Sequence, residues 1–66
     1  MHSTIMETPL PSLIGARLAQ RRGTLGLRLD DLASRTGVSR AMISRVERGE
    51  VNASAVVLDK LCGGLG

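Results

Sequence analysis

A chain of 66 residues has room for a single small core, since one of this length buries only about 60% of the surface that its unfolded form exposes. That leaves no space for an enclosed substrate cavity, and the lack of any Phe, Tyr or Trp means a core of Leu, Ile, Val, Met and Ala, which predicts an all-α fold of interlocking helices. The net charge of +3 is unevenly spread: residues 13–49 hold eight arginines and no lysine against Asp30, Asp31 and Glu47, while the stretches on either side are each slightly acidic.

In chain order, residues 1–11 show no helical period and end in two prolines around one leucine, which reads as a flexible arm. The remainder, residues 12–66, reads as one domain. Ser12 is the candidate N-cap of a first helix, with Ile14 and Leu18 one turn apart, running to about Arg22. Gly15 and Gly23 are its weak points, the first inside the helix and the second suited to ending it. After "TLGLR", the residues Leu29, Leu32, Ala33 and Thr36 follow an i, i+3, i+4, i+7 period and predict a second helix closed by Gly37.

Val38 is then a buried turn residue and Ser39 the N-cap of a third helix. Within it Met42, Ile43 and Val46 form a core face, whereas Ala41, Ser44 and Arg48 fall opposite, flanked by Arg40 and Arg45. Gly49 ends that helix. Ser54 caps a fourth, whose apolar positions are Val57, Leu58, Leu61, Cys62 and Leu65, with Cys62 as a small buried hydrophobe. A single cysteine makes no internal disulfide and fits a reducing cytoplasm. There is no signal-peptide pattern and no apolar run near the roughly 18 residues of a membrane span. One His and one Cys fall short of a metal site, and no nucleophile, base and orienting group come together as an enzyme needs, so neither a cofactor nor catalysis is expected.

Two short helices joined by a glycine-containing turn make a helix-turn-helix. The outer face of the second has small residues, Ala41 and Ser44, at its centre. Such a face fits a DNA major groove about 12 Å wide, where Arg40 and Arg45 reach base edges and Arg48 reaches a phosphate. Arginine suits this because its planar fork of donors matches phosphate oxygens and the edge of guanine. Arg28, at the positive end of the second helix, is placed to meet another phosphate. The same basic helix would also suit a protein-interaction or antitoxin-like module that binds an acidic groove. Salt dependence of binding to duplex DNA separates the two.

The run "LDDLASRTGVSRAMISRVERGE", preceded by "IGARLAQRRGTLGLR" and followed by "NASAVVLDKLCGGLG", resembles the Cro and phage-repressor (XRE) family of bacterial helix-turn-helix domains over about residues 13–66. The resemblance implies a bundle of about five helices, with the second and third forming the motif and the third reading the groove over about residues 39–48. It also implies a transcriptional regulator that binds a palindromic operator on double-stranded DNA as a dimer. By position it puts base reading at Arg40, Ala41, Ser44 and Arg45, phosphate contacts at Arg28, Ser39, Arg48 and Asn52, and a structural pair at Arg22 and Glu47. The chain departs from the family at the start of the second helix, where Arg28 and Leu29 stand in place of a hydroxyl cap and a glutamine. It also stops after a fourth helix. The expectation is the DNA-binding part of a longer regulator, homodimeric in full length and mostly monomeric as these 66 residues.

Overall fold

The computed structural model describes residues 10–66, and among these are four helices: α1 Leu10–Thr24, α2 Leu29–Thr36, α3 Arg40–Glu47 and α4 Ala55–Gly64. Every helix gives at least one side chain to the core, which is Leu18 from α1, Leu32 from α2, Ile43 and Val46 from α3, and Leu61 from α4, closed by Val38 and Leu65. Leu32, Ile43 and Leu61 are the largest side chains that water does not reach. Met42, Val57 and Leu58 are half-buried and pack on this cluster. No helix among the described residues is long and apolar enough to cross a membrane.

Both ends of α1 differ from the sequence expectation. The helix begins at Leu10, so Ser12 lies inside its first turn and does not cap it. Pro11 starts the helix rather than delaying it, because a first-turn residue has no intrahelical use for an N–H and proline's fixed φ is already helical. Residues 10 and 11, read as part of an arm, are therefore helical, and residues 1–9 lie outside the described residues. At the other end α1 continues past Gly23 to Thr24, whose Oγ1 donates to the Gln20 carbonyl at 3.0 Å. The stop comes at Gly26, in the left-handed region at φ 70°, with Gly26 N–H donating to Gly23 O and Leu27 N–H to Arg22 O. That 6→1 and 5→2 pairing is the Schellman arrangement.

Gly15 is a packing residue and no weak point. It is buried where α1 crosses the end of α3, and a β-carbon there would collide with the carbonyl oxygens of Val46 and Glu47. Ser12 fills a similar role one turn earlier, lying directly against Gly49 just after α3. These two contacts set how closely α1 lies across α3. Cys62 departs from the expected burial: it is exposed, on the flank of α4 beside an open apolar groove lined by Ile14, Leu18 and Leu65. Leu61 of α4 and Leu65 just after it take the core-facing positions instead.

Candidate nucleic-acid interface

The turn between α2 and α3 is held by short local bonds. Thr36 Oγ1 donates to the Leu32 carbonyl at 2.8 Å and accepts from Val38 N–H at 3.1 Å, which anchors the first residues after α2. Gly37 takes φ 75°, a conformation open to glycine at no steric cost, and its N–H donates to Ala33 O at 2.9 Å. Val38 is buried, and Ser39 caps α3, its Oγ accepting from Met42 N–H at 3.1 Å. The crossing of the two helices is thereby set by bonds between Leu32 and Met42 and one buried side chain.

α3 is also tied at its far end. Arg22 Nε donates to Glu47 Oε2 at 2.7 Å and Nη2 to Oε1 at 2.9 Å, a bidentate pair, while Nη1 donates to the Leu27 carbonyl at 3.0 Å. The side chains of Arg22 and Glu47 are 21% and 10% exposed, so the pair is largely shielded from solvent. Donating hydrogen bonds to the Glu47 carboxylate raises the Arg22 guanidinium above its ordinary value, against a smaller opposing effect of burial. One guanidinium thus joins α1, the α1–α2 connection and the end of α3.

With both ends fixed, α3 turns its outer face to solvent. Arg40, Ala41, Ser44, Arg45 and Arg48 line one shallow concavity with Leu29 of α2 at its edge. Ala41 and Ser44, one turn apart, keep its middle shallow, and the three arginines surround them with exposed guanidinium groups. Arg28 is 86% exposed at the start of α2 and borders an adjoining depression that it shares with Asp30 and Arg40. Ser39 is exposed at the start of α3. Asn52 lies elsewhere: it is exposed in the segment before α4 and lines a groove with Pro11, Ile14 and Leu58, apart from the arginine concavity.

Three acids on this face were not singled out from sequence as partners. Asp31 Oδ2 accepts from the Arg28 backbone N–H at 2.8 Å and lies 3.8 Å from its Nε, so a carboxylate in the first turn of α2 makes the half of a capping box that does not need the missing cap hydroxyl. The reciprocal bond is absent because a guanidinium cannot accept one. Asp30 Oδ1 lies 3.3 Å from Arg40 Nε, and Glu50 Oε2 lies 2.9 Å from Arg48 Nε. Among the described residues Arg45 has no carboxylate within ion-pair distance. The acid three positions after Arg28 is a spacing signal that reveals the first of these. The pairing of Asp30 with Arg40 needs the helix crossing and has no local signature.

The helix-turn-helix domain family matches residues 13–66 of the chain. Among solved structures, the restriction-modification controller protein C.AhdI from Aeromonas hydrophila is similar at 36% sequence identity with a TM-score of 0.81, over 83% of this chain and 83% of that one. No curated protein matches.

Proposed function

The chain belongs to the helix-turn-helix domain family, in its XRE-like branch, and from that premise we propose that it is a cytoplasmic transcriptional regulator that reads double-stranded DNA with the outer face of α3. The observation that carries this reading is the concavity of Arg40, Ala41, Ser44, Arg45 and Arg48, small at its centre and cationic around it, on a helix held at both ends. A side-chain-poor centre lets the helix backbone approach base edges, and guanidinium groups on either side then reach guanine or phosphate. Similarity to a controller protein supports a regulatory role.

In this assignment Arg40 and Arg45 read bases beside Ala41 and Ser44. Arg28, Arg48 and Ser39 hold phosphates, with Asn52 at the edge of the footprint. Two copies bind an inverted repeat whose half-sites are one helical turn apart, about 34 Å. The 66 residues alone pair weakly, because their exposed large hydrophobics Leu13, Leu25 and Val56 sit on three different segments. The test compares two variants on the same duplexes. Arg45→Ala should cost about 1–3 kcal/mol on a preferred site and relax one or two base pairs, whereas Arg28→Ala should weaken all sequences alike and reduce the salt slope by about one. An unchanged base preference in Arg45→Ala overturns the base-reading assignment.

A further inference from the structure

Asp30 stands in the first turn of α2 and Arg40 in the first turn of α3, and their side chains meet across the helix-turn-helix with Arg40 Nε 3.3 Å from Asp30 Oδ1. The other exposed ion pairs on this face, Arg28 with Asp31 and Arg48 with Glu50, join residues two or three apart in sequence. The Asp30–Arg40 contact alone among them spans both helices of the motif.

Stability does not explain it. The two side chains are 79% and 66% exposed, and exposed pairs contribute little. A carboxylate on a face that meets phosphates also opposes binding, by like-charge repulsion. The geometry offers a use for it. A guanidinium has five N–H donors, and the nearest approach of Asp30 is to Arg40 Nε, so N–H donors of the terminal amino groups remain for a second partner. The terminal amino groups suffice for an end-on bidentate pair with guanine O6 and N7. Arginine has much rotamer freedom to lose, and a tether that holds it in one orientation before DNA arrives reduces what is lost on binding.

We propose that Asp30 is a positioning residue that presents Arg40 to one guanine, and so sets base preference without touching DNA itself. The proposal rests on the DNA-reading assignment above. It separates Arg40, held for one base pair, from Arg45, which has no such carboxylate among the described residues.

The test uses the 66-residue chain as wild type, Asp30→Asn, Arg40→Ala and the double variant, on a panel of duplexes that differ at single base pairs and on a random-sequence duplex. Arg40→Ala should relax preference at one base pair. Asp30→Asn should relax that same base pair by about two- to fivefold, the range of an exposed ion pair, while binding random-sequence duplex more tightly through loss of a negative charge. In the Arg40→Ala background, Asp30→Asn should still tighten random-sequence binding but change no preference. Thermal melts of the four proteins confirm that all are folded. If Asp30→Asn raises binding to every duplex equally, Asp30 is only a negative charge on the surface and the proposal is overturned. If the wild type binds no duplex even at low salt, the DNA reading fails and this proposal with it.

Discussion

Gly15 carries more of the packing than any sequence rule assigns to it. A helix-interior glycine normally weakens a helix by up to about 1 kcal/mol relative to alanine, so Gly15→Ala looks stabilising on propensity alone. In the fold a β-carbon there meets the carbonyl oxygens of Val46 and Glu47, backbone atoms that cannot turn aside. Gly15→Ala should therefore destabilise by about 1–3 kcal/mol, the usual range for overpacking, and chemical denaturation measures it directly. Arg22 and Glu47 make the complementary case. Removing either leaves a partly shielded charge unmatched, at a cost of up to about 3 kcal/mol, and a double-mutant cycle should show coupling. Additivity within about 0.5 kcal/mol would contradict it. Because the hydrogen bond to Glu47 raises the Arg22 guanidinium, the stabilisation it contributes is fully present below the ordinary arginine value and is lost only as pH rises through the folded one. From roughly pH 6 to 9 Arg22 stays charged, and its side of the coupling should not vary. The Arg22–Glu47 positions were legible through family resemblance. The role of Gly15 was not, because it depends on which residues of α3 lie across it.

At the scale of elements, α2, α3 and α4 were readable from caps and period. Gly37, Ser39 and Ser54 each sit at the end that their residue type predicts, and Ser54 Oγ accepts from Val57 N–H at 3.2 Å. α1 was less readable for two physical reasons. Proline breaks a helix in its interior but favours its first turn, so the same residue argues for opposite boundaries until a neighbour decides. Of the glycines at 23 and 26, the one that can pair Leu27 N–H with Arg22 O is the true stop, and that pairing is a property of the folded connection. The start of α2 gives a prediction of its own. Asp31→Ala removes both the bond to the Arg28 N–H and an acid from the positive end of the helix, which should cost about 1 kcal/mol. For a domain of this size that is a fall in Tm of about 4–8 °C by scanning calorimetry.

Over the whole molecule, eight arginines in residues 13–49 give the chain its positive charge, and several of them meet on the outer side of α3. That concentration was legible as segment charge, and so was its chemistry. Of the acids that accompany it on the surface, Asp31 and Glu50 pair with arginines two or three residues away, whereas Asp30 was legible only as a charge to subtract, because its pairing with Arg40 depends on the helix crossing. Sedimentation should find these 66 residues monomeric at micromolar concentration. A stable dimer would contradict that and would point to the apolar groove of Ile14, Leu18 and Leu65 between α1 and α4 as the pairing surface. A single copy should bind duplex DNA in the non-specific range of about 10⁻⁴ to 10⁻⁶ M, and joining two copies through an unrelated coiled coil should tighten binding to an inverted repeat by roughly 10² to 10⁴. The measurement that bears most directly on sequence reading by α3 is selection from a pool of randomised duplexes by the coiled-coil-joined chain. The retained duplexes should share a short motif containing guanine, repeated in inverted orientation about 34 Å apart. Retained duplexes as random as the starting pool, or none retained at low salt, would contradict it.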